Sequence, residues 1–291
     1  MIPGSFEYFS PKTVPEAVSL LARYGEEAKV LAGGHSLVPL MKLRLAAPRY
    51  VVDINRIDGL SYIKESDGLL RIGALTRHGE IETSELIRSR YPLLADAARV
   101  ISDPLVRNMG TVGGSLAHAD PAGDWGAAML AAGARVLVTG PRGPRTIPMD
   151  RFFEGTFTTA LQSDEILTEI SLPQATKRSG GAYLKLERKV GDFAIAAVGV
   201  GLVLAATGTC EHVGIGLCNV GATSLRAGKA EQLLAGKKPD DAAIAKAAEA
   251  AAAECDPTGD LRGPADYKRD VVRVLTARAL RLAAQRAAGG A

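Results

Sequence analysis

The chain has 291 residues, 47% of them apolar and 23% charged, with a net charge of +3. That is length for about two domains, with the composition of a globular protein and too slight a positive charge for a nucleic-acid footprint. Cys210, Cys218 and Cys255 form no Cys-x-x-Cys pair, so they build neither an iron–sulfur cluster nor a zinc site by themselves, and sparse thiols fit a reducing, cytoplasmic setting.

In chain order, the opening MIPGSFEYFSPKTV lacks a basic stretch followed by an apolar core, so no signal peptide is expected. Residues 6–9 read as a short apolar anchor. Thr13 and Glu16 stand three apart, as in a capping box, and open a helix through Ala17, Val18, Leu20, Leu21 and Tyr24 that stops at Gly25. A strand over 28–31, a Gly-Gly loop, a short helix over 37–43 and a strand over 50–54 follow. Asp58-Gly59 is a turn, and Asp67-Gly68 joins residues 62–72 into a hairpin. Residues 76–90 and 92–101 read as helices, with Asp103-Pro104 breaking the pattern. Residues 110–124 read as a second loop region, and 123–132 as a helix of small residues. Strands are expected over 135–139 and 166–172, with a turn over 140–145.

The polar, glycine-rich QATKRSGG, residues 174–181, suggests a domain boundary. Strands over 182–189, 193–205 and 210–220 come next. The second of these is part of the longest apolar run, 194–206. That run falls short of the roughly 20 residues that span a bilayer, so an integral membrane protein is not expected. Helices over 228–234, 240–254 and 264–288 complete a small α+β unit with a three-stranded antiparallel sheet. The last helix carries Lys268, Arg269, Arg273, Arg278, Arg281 and Arg286 beside an apolar stripe of Val271, Leu275 and Leu282. It reads as a solvated basic face more readily than as a docking surface.

Two stretches carry chemistry. LAGGHS, residues 31–36, and TVGGSLAHADPAGD, residues 111–124, each place Gly-Gly and a small polar residue after an apolar or β-branched stretch. Glycines let backbone N–H groups face a ligand, successive N–H groups make an anion-binding concavity, and Ser or Thr adds donors. Neither stretch has the Gly-x-Gly-x-x-Gly spacing of a Rossmann fingerprint or the Gly-Lys-Ser/Thr of a Walker loop. One such loop is as readily a tight turn as a site; two with flanking hydroxyls suggest a diphosphate gripped from two sides. No nucleophile elbow, metal-ligand spacing or acid–base pair is present, so no catalytic residue and no metal ligand is assigned.

Four ordered segments, AGGHSLVPLMKLRLAAPRYVVDI (32–54), RNMGTVGGSLAHADPAGDW (107–125), FFEGTFTTALQSDEIL (152–167) and YLKLERKVGDFAIAAVGV (183–200), resemble the FAD-binding medium subunits of the molybdenum hydroxylases. That is the xanthine dehydrogenase and aerobic carbon monoxide dehydrogenase family, and the likeness runs nearly end to end, nearest to the carbon monoxide dehydrogenase flavoproteins. The resemblance implies an α+β fold. Residues 1–177 would be an FAD-binding domain of the vanillyl-alcohol-oxidase-like (PCMH) type, in two α+β parts split near 55–60. Residues 178–291 would be the small C-terminal domain. It carries over as FAD contacts Ala32, Gly33, Gly34, His35, Ser36 and Leu37 from the first loop and Thr111, Val112, Gly113, Gly114 and Ser115 from the second. It adds Asp124, Leu161 and Lys185, and places Phe193 near the flavin ring. Without the resemblance, Asp124 would be a helix cap, Lys185 an exposed strand residue and Phe193 core. His118 would be a loop residue, and His78 and His212 would be structural or exposed.

The family pattern implies that electrons arrive from the 2Fe–2S clusters of a small subunit, after a large molybdopterin subunit has oxidised substrate, carbon monoxide being the first expectation. They would leave to a quinone, NAD or another acceptor. The implied assembly is a dimer of heterotrimers, with transient contact to a membrane quinone system. Ser115 stands where many relatives have Asn and keeps a donor with less reach. Phe193 stands where near relatives have Tyr and packs without a hydroxyl. Some oxidases of the wider fold class link flavin covalently to the histidine of a Gly-Gly-His-Ser loop. They carry a large substrate domain for which this length has no room, so non-covalent FAD is expected. The competing readings are a free-standing FAD-dependent reductase, similar to the enolpyruvyl reductase of cell-wall synthesis, and a non-catalytic nucleotide-binding module.

Overall fold

A computed structural model describes residues 2–289; residues 1, 290 and 291, the outer ends of the two expected domains, lie outside it. The chain opens with β1 (Glu7–Phe9), α1 (Val14–Tyr24), β2 (Ala28–Leu31), α2 (Leu37–Lys42) and β3 (Tyr50–Asp53). The three strands form a parallel sheet in the order β1-β3-β2. The Thr13 hydroxyl accepts from the Glu16 amide at 3.3 Å and caps α1, which lays Ala17, Val18 and Leu21 on the sheet.

A second sheet is antiparallel, in the order β4-β5-β10-β6-β7. It contains β4 (Ile63–Ser66), β5 (Leu69–Gly73), β6 (Arg135–Gly140), β7 (Gly143–Pro148) and β10 (Ile166–Pro173), and a small pair, β8 (Phe153–Gly155) with β9 (Thr158–Thr159), lies beside it. Between β5 and β6 run α3 (His78–Thr83), α4 (Glu85–Arg90), α5 (Pro92–Val100), α6 (Pro104–Met109), α7 (Val112–His118) and α8 (Asp124–Ala131). The sequence reading needs three corrections here. The helix expected over 76–90 is broken at Ser84, whose side chain caps α4 through the Ile87 amide. Asp103-Pro104 begins a helix instead of ending one, because Asp103 accepts from the Val106 amide at 3.0 Å and Pro104 sits where a helix needs no N–H. The expected second loop is largely the helix α7: Thr111 caps it by accepting from the Gly114 amide at 3.1 Å, and tertiary contacts hold Gly113 and Gly114 in its first turn against their low helix propensity.

The last sheet is antiparallel and has four strands where three were expected, in the order β11-β12-β13-β14. β11 (Ser179–Glu187) begins inside the glycine-rich stretch, and β12 (Ala194–Leu204) and β13 (Cys210–Cys218) follow. The added strand, β14 (Leu225–Arg226), is too short to carry a periodic signal. One face of this sheet is covered by α9 (Gly228–Leu234), α10 (Asp241–Glu254) and α11 (Ala265–Ala287), which close a core around Val200, Ile215, Val272 and Leu280. α8 lies on the other face, backbone to backbone. A β-carbon on Gly216 would fall 2.0 Å from the Ala127 carbonyl oxygen, and one on Gly214 2.2 Å from that of Ala131. The glycine lane in β12 and β13 is a seat for a helix that turns its small residues Ala127 and Ala131 toward it. The basic residues of α11 are largely paired within the chain: Lys268 is buried on Asp260 at 2.9 Å and Arg286 holds Asp96 at 2.6 Å. This is not an uncommitted basic face.

Candidate dinucleotide site

The first glycine stretch leaves β2 and enters α2. Gly34 turns the chain at φ +76°. His35 donates from Nδ1 to the Gly33 carbonyl at 3.0 Å, since a carbonyl only accepts. Ser36 occupies the cap position of α2, yet its hydroxyl makes no capping bond. Among the described residues, nothing accepts a hydrogen bond from the consecutive amides of Gly33, Gly34, His35, Ser36 and Leu37. Such a run of unused donors with a free hydroxyl beside it suits an oxyanion and is expensive to leave dry.

The second stretch is built differently. The Val112 amide donates to the Thr76 carbonyl at 3.1 Å, Gly113 to Ala74 at 3.0 Å, Gly114 to Thr111 Oγ1 and Ser115 to the Thr111 carbonyl. These amides are bonded inside the protein, so of the two stretches it is the first that presents a run of unused backbone donors. Here the glycines serve close approach: a β-carbon on Gly113 would lie 2.6 Å from that of Ala74. The two stretches nevertheless meet. A β-carbon on Gly33 would fall 2.3 Å from the Met109 carbonyl oxygen, and one on Gly114 3.7 Å from the Ala32 side chain.

His78 supports this junction. Its amide donates to the Gly110 carbonyl at 3.0 Å, and its ring Nδ1 accepts from Trp125 Nε1 at 3.0 Å. The ring is therefore structural, with a partner the sequence did not reveal. Burial first, then the charges of His35, Arg77 and Arg107, push its pKa down to about 4. The unfolded chain titrates near 6.5, so below that pH it binds a proton that the native ring refuses. The native advantage is whole above about pH 6.5 and declines toward pH 4, by about 3 kcal/mol at most. His78→Asn, which keeps an acceptor for Trp125, is expected to flatten the fall in unfolding midpoint over that window. Parallel curves for both proteins would place the acid sensitivity elsewhere.

Two polar residues missed in the sequence tie the stretches together. Asn55 Nδ2 donates to the Ala32 carbonyl at 2.7 Å and to Asp53 Oδ1 at 2.6 Å. Arg77 donates to Asn55 Oδ1 at 2.8 Å and to the Met109 carbonyl. Asp53 also accepts from Tyr8. Neither Asn55 nor Arg77 belongs to a spacing motif; the only sequence signal is polarity just after a strand and just before a helix.

Asp124 and Lys185 form a buried pair, with side chains 7% and 2% exposed, at 3.0 Å. Tyr183 donates to the other Asp124 oxygen at 2.9 Å, and Lys185 also reaches the Val100 carbonyl at 2.9 Å. Burial pushes the Asp124 carboxyl upward, with Lys185 and Tyr183 pulling against it. The pair pins the start of α8 to β11, so Asp124 is not the helix cap of the plain reading and Lys185 is not exposed. Leu161 is partly buried against the main core. Phe193 is 50% exposed, with the Arg262 guanidinium 5.9 Å from its ring centroid and that same group bonded to Asp192 at 3.1 Å. His118 closes the last turn of α7 against Phe157, and His212 is exposed on β13.

A cradle of backbone amides at the end of a small parallel sheet, closed by a second α+β unit, defines an anion-holding protein of the dinucleotide-binding kind. Residues 4–175 match the FAD binding domain in molybdopterin dehydrogenase and residues 181–283 the CO dehydrogenase flavoprotein C-terminal domain; the chain belongs to this flavoprotein family. It is 46% identical over 289 residues to the carbon monoxide dehydrogenase medium chain of Hydrogenophaga pseudoflava, covering 99% of this chain and 100% of that one. It is 39% identical over 287 residues to the 6-hydroxypseudooxynicotine dehydrogenase complex subunit alpha of Paenarthrobacter nicotinovorans, covering 99% and 97%. The solved carbon monoxide dehydrogenase of Hydrogenophaga pseudoflava, in a form lacking the Mo-pyranopterin moiety, superposes with a TM-score of 0.95 at 47% identity, over 98% of this chain and 99% of that chain. Among the described residues no helix is long and apolar enough to cross a membrane, and no group of three or more His, Cys, Asp or Glu side chains could hold a metal ion.

Proposed function

We propose that this chain is the FAD-carrying electron-transfer subunit of a heteromeric molybdenum hydroxylase. It would accept electrons from the 2Fe–2S clusters of a small subunit and pass them to an external acceptor, while a large molybdopterin subunit oxidises the substrate. The observation that carries this reading is the end-to-end match to the medium chain of a carbon monoxide dehydrogenase, with both chains covered almost completely. FAD, when bound, supplies the capacity to take up electrons singly and release them in pairs. The chain's own part is to hold and orient. The amides of residues 33–37 and the Ser36 hydroxyl fit a diphosphate, with Ala32 and His35 shaping that loop. Thr111, Val112, Gly113, Gly114 and Ser115 form the wall behind it. The Asp124–Lys185 pair and Leu161 set the depth of the site, and the exposed Phe193 ring offers a packing surface for the flavin. We further propose domains divided near residue 177, a cytoplasmic dimer of heterotrimers, and transient contact with a membrane quinone system.

Carbon monoxide is the first substrate to test. The 6-hydroxypseudooxynicotine relative supports the view that substrate is chosen in another subunit. The complex purified from native cells is expected to show flavin absorbance and to bring iron–sulfur and molybdenum subunits with it. A colourless complex, or a chain that purifies alone and reduces substrate with NADPH, would overturn the reading. Acid denaturation is expected to release all the flavin into the supernatant. Yellow colour retained by the precipitate would instead mean a covalent link at His35.

A further inference from the structure

The two glycine stretches are joined by a polar bridge that lies in neither of them. Asn55 follows β3 and holds the Ala32 carbonyl, the last acceptor before the free amides begin. Its orientation is fixed from both ends: Nδ2 is shared with Asp53 Oδ1, and Oδ1 accepts from Arg77. Arg77 stands just before α3, in the segment 74–78 that carries Gly110, Val112 and Gly113 by backbone bonds. Its second donor reaches the Met109 carbonyl, the oxygen that Gly33 faces without a β-carbon. The guanidinium thus bonds Asn55, which holds the first stretch, and Met109, two residues before the second, and its positive charge lies one hydrogen-bonded residue behind the amide cradle.

We infer that Arg77 and Asn55 are positioning residues for the dinucleotide: they fix the first glycine loop against the second stretch, so that the amides of residues 33–37 converge on one anion. This rests on the reading of that loop as a diphosphate cradle. Only Arg spans two carbonyl-type acceptors with a planar fork, so Arg77→Lys keeps the charge and loses the reach. Asn55→Ala removes the bond to Ala32 and leaves the charge.

The test uses the full chain stripped of FAD and titrated with FAD by flavin fluorescence, with unfolding midpoints of the unliganded proteins and hydrogen exchange over residues 32–38. Asn55→Ala is expected to weaken FAD binding by about tenfold or more, and Arg77→Lys by less, as removal of one or two hydrogen bonds would do. Midpoints should stay within a few degrees of wild type, and FAD should protect the loop amides in wild type but less in the variants. Wild-type FAD affinity in both variants overturns the inference. So does lost affinity that appears only together with a collapsed midpoint; Asn55→Ser serves as a milder second variant. If FAD binds wild type without protecting residues 32–38, the cradle reading fails, and the inference fails with it.

Discussion

Replacing Lys185 by methionine is expected to lower the unfolding midpoint by about 10 °C. The substitution strands Asp124, which is 7% exposed and whose remaining partner is the Tyr183 hydroxyl. Breaking a buried ion pair from one side costs about 3–5 kcal/mol, because the surviving charge stays buried without its counterion. It also removes the donor on the Val100 carbonyl. Adding Asp124→Asn takes away the stranded charge and keeps an acceptor for Tyr183, so the double variant should regain about half of the loss. Calorimetry on the three proteins checks this. A single variant as stable as wild type would mean that the pair contributes nothing, and a double variant no better than the single would move the cost from charge to packing.

The second large effect is expected at Gly33. An alanine methyl would fall 2.3 Å from the Met109 carbonyl oxygen and 2.8 Å from the Gly110 α-carbon. Both neighbours are backbone, so relief comes only by parting the two glycine stretches. Overpacking of this kind costs about 1–3 kcal/mol, and part of it falls on any ligand held between the stretches. Gly33→Ala is expected to purify with less than about a tenth of the wild-type flavin, since each 1.4 kcal/mol is about a factor of ten. Gly228→Ala is the control, because a β-carbon there meets nothing within 4 Å. Full flavin content in Gly33→Ala would show that the stretches do not need this contact.

Much of this architecture was legible because it is local. Thr13 and Glu16 marked α1, Asp67-Gly68 marked the hairpin, and the small-residue run of α8 was read to within a residue or two. The misreadings share one cause. Pro104 and the Gly113-Gly114 pair were taken as breakers, whereas Pro104 starts a helix and the glycines sit in one, Gly113 against Ala74 and Gly114 against the capping Thr111 hydroxyl, where a side chain has no room. Of the site, the first loop was visible as a motif. The second was visible as residues but not as a role, because nothing local says that its amides are already bonded to Ala74, Thr76 and Thr111. Asn55 and Arg77 were out of reach for the same reason: a bridge between residues 32 and 109 exists only once both sheets have formed. The basic residues of the last helix read as a solvated face because Arg286 finds Asp96 only across 190 positions, and Lys268 is buried on Asp260 only once the loop before the helix has closed.

The seat of α8 on its glycine lane has a mechanical consequence. Side chains between two bodies can change rotamer and let one swing against the other, but carbonyl oxygens resting on α-carbons have no such freedom. α8, which opens with Asp124, and β11, which carries Lys185 and Tyr183, therefore belong to one frame instead of a hinged clamp. The entropy of bringing α8 onto that sheet is spent during folding, so a ligand arriving later does not have to supply it.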